Sequence, residues 1–233
     1  MLKIGRLSLD GTPRIVVPFI GGAGKKTLAA AKKCGLDIAE LRIDLFSHQD
    51  PPFVLKEISK FRRWPVIVTL RSRREGGQWK GSEPLRLKLF RAVIPKAAAV
   101  DIELSSTKIL SQVVRLAHRA KKPVIVSYHN FDRTPDLAAL LRTVKQAKRQ
   151  GADIVKIAAM TRSRKDLQTL ARLTAENAHL NLVIIAMGSR GMVSRIFFPV
   201  LGSLMTYARL GRPTAPGQFS CRETLHYLKT FYR

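Results

Sequence analysis

The chain has 233 residues, 45% hydrophobic and 25% charged, a balance that excludes a disordered or collagen-like polypeptide. No apolar run nears the 18 or more residues of a membrane helix, and Met1-Leu2-Lys3-Ile4-Gly5-Arg6 lacks a signal-peptide core, so no membrane association and a cytoplasmic location are expected. The 42 Lys and Arg against 16 Asp and Glu leave +26, which would attract polyanions. The basic residues nevertheless fall in small scattered groups without a zinc-finger, helix-turn-helix or aromatic RNA-binding pattern, which argues against specific nucleic-acid binding and for a solvated surface that steers small anions inward.

In chain order, residues 2–9 alternate weakly and Asp10-Gly11 is a strong turn signal, so an N-terminal hairpin should lead into a first buried strand at 14–19. The stretch Gly21-Gly22-Ala23-Gly24-Lys25-Lys26-Thr27 looks like a phosphate loop but misses its spacing, and reads as a flexible connection. A helix at 24–34 ends near Gly35. Strands at 37–44, 66–70, 99–104, 123–128, 152–158 and 182–187 alternate with helices at 52–61, 83–93, 106–119, 136–150, 163–178 and about 190–198. A strand near 203–208 and a helix at about 221–231 complete the chain. Thr134 can cap the helix at 136–150, with Pro135 in its first turn, and Ser163 with Asp166 makes a capping-box-like start for the next.

Such alternation specifies a parallel sheet. Eight strand–helix units favour an α/β fold closed as a (β/α)8 TIM barrel over an open doubly wound sheet. No stretch resembles a linker, so residues 1–233 are expected to form one barrel domain whose bottom the N-terminal hairpin closes. Cys34 and Cys221 are too few and too far apart for a disulfide framework, and no Cys/His cluster has metal-ligand spacing. Both read as buried or bystander thiols, and no metal is expected.

The run Ala152-Asp153-Ile154-Val155-Lys156-Ile157-Ala158-Ala159-Met160 reads as a strand buried on both faces with one lysine in it. An isolated ammonium in a low-dielectric interior tends to lose its proton, leaving an amine able to form imines with carbonyl substrates. The alternative is a lysine that snorkels to the strand end or pairs with a buried carboxylate such as Glu40 or Glu103.

In a barrel, active groups sit at the C-terminal ends of strands. Glu40, Arg42 and Asp44 recur at period two on the second strand, opposite Leu41, Ile43 and Leu45, which points three charges into the barrel. The third strand delivers Arg71 at its end, with Glu75 in the loop beyond, and the fourth offers Asp101 and Glu103 on one face. The fifth ends at His129, next to the lysine strand. Small residues between Met187 and Ser194 would permit close approach to a ligand, Arg195 supplies a carboxylate fork, and 212–218 is a turn-rich loop that could lie over the barrel mouth.

Taken together, Glu40-Leu41-Arg42-Ile43-Asp44, Leu70 to Gly77, Asp101-Ile102-Glu103-Leu104, Ser127-Tyr128-His129-Asn130-Phe131, Asp153 to Ala158, Met187-Gly188 with Ser194-Arg195, and Ala215-Pro216-Gly217-Gln218 resemble type I 3-dehydroquinate dehydratase, the Schiff-base enzyme of the shikimate pathway. The resemblance implies a usually dimeric (β/α)8 barrel that dehydrates 3-dehydroquinate to 3-dehydroshikimate without metal or cofactor. It makes Lys156 the imine-forming lysine, His129 the general acid/base and Glu75 the carboxylate that orients it. Glu40, Arg42, Arg71, Arg195 and Gln218 match substrate-holding positions; Thr214 stands where a serine is common, keeping the hydroxyl, and Pro18 where some members carry a serine ligand. A class I aldolase shares the barrel and the lysine but should carry a phosphate site near the last two strands, which this loop pattern does not clearly supply. A nucleic-acid-binding barrel is the rival from another class.

Overall fold

The computed structural model describes residues 1–232. A short hairpin of β1 (Lys3–Ile4) and β2 (Leu7–Ser8) precedes eight strands: β3 (Arg14–Phe19), β4 (Ile38–Arg42), β5 (Val66–Thr69), β6 (Ala99–Glu103), β7 (Val124–Asn130), β8 (Ile154–Met160), β9 (Leu182–Met187) and β10 (Met205–Tyr207). Between and after them run α1 (Lys25–Cys34), α2 (Pro51–Ser59), α3 (Glu83–Val93), α4 (Leu110–Arg119), α5 (Leu137–Arg149), α6 (Arg164–Glu176), α7 (Ser194–Phe197) and α8 (Cys221–Tyr232).

The strands pair in parallel in the order β10-β3-β4-β5-β6-β7-β8-β9. The seam between β9 and β10 is joined by the Leu204 N–H donating to Leu182 O at 2.9 Å and the Ile184 N–H donating to Ser203 Oγ at 3.1 Å. This is the (β/α)8 barrel that the alternation predicts. The hairpin differs from the expected one: it turns at Gly5-Arg6, not at Asp10-Gly11, with Gly5 at φ 58°. The strand at 14–19 cannot serve as its second arm, because parallel neighbours on both sides take its backbone groups. Ile4 and Leu9 instead join Val16, Ile38, Ile67, Ala99, Ile125 and Ile154 in the apolar floor of the barrel. Losing a side chain as buried as Ile4 typically costs about 2–5 kcal/mol.

Period two sorts every strand. Val17, Leu41, Val68, Ile102, Val126 and Ile157 face the helices in the outer core, while the alternate residues face inward, apolar at the bottom and polar toward the top. Helix ends follow local chemistry. Asp136, not Thr134, caps α5 by accepting from the Ala139 N–H; Pro135 lies before that cap, and the Thr134 hydroxyl donates to Met160 O. Ser163 and Asp166 form the full capping box of α6.

The cysteines correct the sequence reading outright. Cys34 at the end of α1 and Cys221 at the start of α8 form a disulfide across 187 residues, with Cα atoms 5.5 Å apart. Sequence distance is misleading here because barrel closure puts β10 beside β3, which brings the first and last helices together.

Candidate active site

The inward residues near the strand tops line one cavity of about 530 Å³: Glu40 and Arg42 from β4, Arg71 and Glu75 beyond β5, His129 from β7, Lys156 from β8, Arg195 from α7, Tyr207 from β10, and Thr214 and Gln218 from the last loop. Lys156 faces inward, as its register with Ser127 and Val183 requires. It is not isolated. Its Nζ lies 3.0 Å from Asp101 Oδ2 and 3.7 Å from Glu40 Oε1, and 4.4 Å from the centre of the Tyr207 ring. The pairing alternative therefore holds, with Asp101 beside Glu40 where Glu103 was expected, because Glu103 lies one inward position further along β6.

Asp101 is the hub of this network. Its Oδ1 accepts from Arg71 Nη2 at 2.7 Å and from the Ser127 hydroxyl at 2.7 Å. Burial alone would raise its carboxyl, but Arg71, then Lys156 and His129, outweigh that and hold it well below the ordinary carboxylate range. Burial alone would lower Arg71, yet Asp101 and Glu103 raise it further instead. Arg71 also donates to Ser127 Oγ at 2.6 Å, so its guanidinium is committed to the protein frame. Glu103 is committed too, to Arg86, the Ser106 hydroxyl and the Ser72 N–H.

His129 lies within β7, not beyond its end, and its side chain is 10% exposed. Glu75 Oε2 accepts from both the His129 backbone N–H and Nδ1, each at 2.9 Å, which leaves Nε2 as the nitrogen free for chemistry. Burial first, then the positive charges of Arg71 and Lys156, push the imidazole well below its ordinary value against the pull of Asp101. Burial raises Glu75 to about 7, against the Ser105 hydroxyl, which donates to its other oxygen. Phe131 stacks on His129 with ring centres 6.3 Å apart. Gly76 makes room for it: a Cβ there would sit 2.6 Å from Phe131 Cζ.

Asp44 leaves the expected strand face, because the chain turns into a short helical turn at Ile43–Leu45. From there it clamps Arg42 bidentately, at 2.9 and 2.8 Å, and accepts the Gln78 N–H. Arg195 ties down the last loop. Its Nε donates to Gly217 O at 2.6 Å, Nη2 to Pro216 O at 3.0 Å and Nη1 to Tyr207 O at 3.1 Å. Two of its five N–H groups remain for a ligand, and burial lowers it to about 10. Gln218 Oε1 accepts from the Thr214 and Ala215 N–H groups, so Gln218 and Thr214 shape the loop as well as line the cavity. Pro18 is buried opposite Glu40 in β3 and does not line the cavity. The small residues after Met187 serve packing: a Cβ on Gly191 would lie 2.4 Å from Ala186 O.

Sequence reasoning placed Asp101 on the right face without giving it a role, and missed Tyr207 entirely. The signal for Tyr207 was weak, since one aromatic in a three-residue strand reads as core. Among the described residues its buried hydroxyl has no hydrogen-bond partner, and burial raises it well above its ordinary value.

The family model described as "Type I 3-dehydroquinase" matches residues 20–233. A 3-dehydroquinate dehydratase of Methanothermobacter thermautotrophicus is 45% identical over 210 residues, covering 88% of this chain and 91% of the relative. That of Hydrogenobaculum is 36% identical over 221 residues, covering 94% and 99%. Among solved structures, the type I 3-dehydroquinate dehydratase of Clostridium difficile superposes with TM-score 0.89 at 28% identity, covering 99% of this chain and 97% of that one. On the family match and these relatives, the chain belongs to the type I 3-dehydroquinase family.

Proposed function

We propose that this chain dehydrates 3-dehydroquinate to 3-dehydroshikimate through an imine on Lys156. The observation that carries the proposal is the placing of the Lys156 amine and the Glu75-bound His129 in one cavity, with Asp101 and Glu40 against the amine.

Lys156 gives up a proton to neutral His129 and attacks the substrate ketone; loss of water from the adduct leaves a protonated imine. The positive charge thus passes from ammonium to iminium without leaving the reach of Asp101 and Glu40. Carboxylates already oriented there stabilise the cation with no reorganisation. The iminium acidifies the adjacent carbon, His129 Nε2 removes its proton, and the resulting enamine expels the hydroxyl one carbon further on, which leaves as water with the proton His129 carries. A second water hydrolyses the imine and frees Lys156, so the net change is loss of one water. The C. difficile relative is described as carrying covalently modified comenic acid, which fits a site built for covalent capture.

Arg195, with two N–H groups free, takes the substrate carboxylate, while Arg42, Glu40, Thr214 and Gln218 hold the ring hydroxyls; Arg71 acts through Asp101. No helix among the described residues is long and apolar enough to cross a membrane, and we place the enzyme in the cytoplasm as one barrel domain that assembles as a homodimer. Exposed Val193, Phe197 and Val200, spaced as one apolar stripe, suit such a contact. The net charge of +26 favours capture of the anionic substrate.

Borohydride reduction in the presence of 3-dehydroquinate should add one reduced ligand mass at Lys156, located by peptide mass spectrometry. Labelling of a Lys156→Ala protein, or turnover by it at the native rate, would remove the imine assignment.

A further inference from the structure

Glu75 reaches past a neighbouring strand to meet its histidine. It leaves the turn beyond β5, His129 stands on β7, and Ser105 follows closely on β6 between them. The backbone around each is fixed: the Glu75 N–H donates to Ser72 O, the Ser72 N–H to Glu103 Oε1, and the Leu104 N–H to Ser127 O on β7. What the backbone leaves open is the carboxylate itself, because the last torsion of a glutamate is broad and roughly two-fold.

The two carboxylate oxygens have separate partners. Oε2 accepts from the His129 backbone N–H and from Nδ1, which occupies both of its lone pairs, while Oε1 accepts from the Ser105 hydroxyl. A proton arriving on Glu75 must therefore settle on Oε1, where it competes with the Ser105 hydrogen. Burial is the strongest influence on this carboxyl and raises it to about 7. The Ser105 hydroxyl is the largest pull the other way, ahead of Arg71 at the top of β5 and the His129 N–H, whereas Glu103 on β6 adds to the rise. Arg73 and Arg74, in the same turn as Glu75, are exposed.

We propose, resting on the reading of His129 as the general acid/base, that Ser105 is a positioning residue for it: the hydroxyl pins the Glu75 carboxylate opposite the imidazole and keeps it in the ionised form that orients the ring. Hydrogen bonds to a charged acceptor are the strong ones, so one hydroxyl suffices to bring Glu75 ionisation down to neutral pH. With it, Nδ1 keeps its hydrogen and Nε2 stays bare for the substrate. Without it, burial prevails, Glu75 takes up a proton at neutral pH and the anchor for Nδ1–H weakens.

Ser105 is exposed, so its replacement leaves the core intact. In Ser105→Ala the acid-side inflection of kcat should move up from near 7 by about one pH unit, with kcat at neutral pH about fivefold lower and recovering at higher pH. Ser105→Thr keeps the hydroxyl and should return the inflection to its native position. Carboxyl-carbon NMR of glutamate-labelled protein, with the Glu75 signal identified by its loss in Glu75→Gln, should show the same displacement without substrate. An inflection or a Glu75 titration that stays in place in Ser105→Ala overturns the proposal. So does a Ser105→Thr protein displaced as far as the alanine one. Borohydride trapping at Lys156 separates the two roles: native trapping beside an unmoved inflection removes Ser105 alone. A native protein that neither traps nor turns over 3-dehydroquinate removes the imine reading, and the NMR titration still decides Ser105.

Discussion

Asp101 shares its carboxylate between two cations, Lys156 at 3.0 Å on one oxygen and Arg71 at 2.7 Å on the other. In the proposed mechanism the amine is therefore held, before substrate arrives, by the group that would face its iminium. Asp101→Asn keeps the shape and removes the charge. The expected outcome is a fall in kcat of about 10²–10³-fold, the range found when one preorganised electrostatic partner is lost, together with slower borohydride trapping. A variant that traps and turns over at the native rate would end the electrostatic role of Asp101.

Glu75 and His129 set the pH dependence. The imidazole is held well below its ordinary value, so it is neutral throughout the physiological range, whereas Glu75 ionises at about 7. The ascending limb of kcat against pH should then inflect near 7 and belong to Glu75, whose negative form strengthens His129 as a base. In Glu75→Gln that inflection should vanish, with kcat about 10–100-fold lower at its plateau for want of an oriented base. For stability the signs oppose: the raised carboxyl contributes most below its unfolded value of 4.5 and loses that contribution as pH rises through about 7. The depressed histidine contributes above 6.5 and loses it as pH falls through its folded value. Equilibrium unfolding at several pH values, compared with Glu75→Gln, separates the two.

Arg195 ties the last loop to the barrel, donating to two loop carbonyls, Gly217 O and Pro216 O, and to Tyr207 O at the end of β10. Lysine offers no planar fork to replace them. Arg195→Lys should raise KM for 3-dehydroquinate by about 10-fold or more, the cost of a lost charge-assisted hydrogen bond being about 1.5–3 kcal/mol, with a smaller effect on kcat. An unchanged KM would relieve Arg195 of the carboxylate.

The Tyr207 ring faces Lys156, while its buried hydroxyl has no partner among the described residues. Tyr207→Phe removes the stranded hydroxyl and keeps the ring, so melting temperature should hold or rise and kcat should stay within about threefold. Tyr207→Leu loses a cation–π contact worth about 0.5–2 kcal/mol and should slow imine trapping. Equal trapping rates in the two variants would show that the ring does not matter to the amine.

Cys34 and Cys221 close a loop of most of the chain. Denaturant unfolding of the native protein should be about 2–4 kcal/mol less favourable to the folded state once reduced. A Cys34→Ser/Cys221→Ser protein should show no response to reductant. Both cysteines are buried, which should slow attack of a reductant on the folded protein.

Local rules carried a good deal of this molecule. Alternation of β-branched runs with amphipathic segments specified the barrel, and period two put Glu40 with Arg42, and Asp101 with Glu103, on one face of their strands, since side-chain direction in a strand depends on position alone. The Ser163–Asp166 box was legible for the same reason: its partners lie three residues apart. What depended on closure was not legible. Whether Lys156 is isolated or paired is decided by Asp101, 55 residues away. The cysteines meet only because the last strand returns beside the first, and Asp44 turned from the cavity because backbone hydrogen bonding ended β4 at Arg42. Spacing along a chain fixes which way a residue points within its own element, but a charge in a low-dielectric interior is governed by whatever the fold brings within a few ångströms, and that neighbour is set by three-dimensional closure.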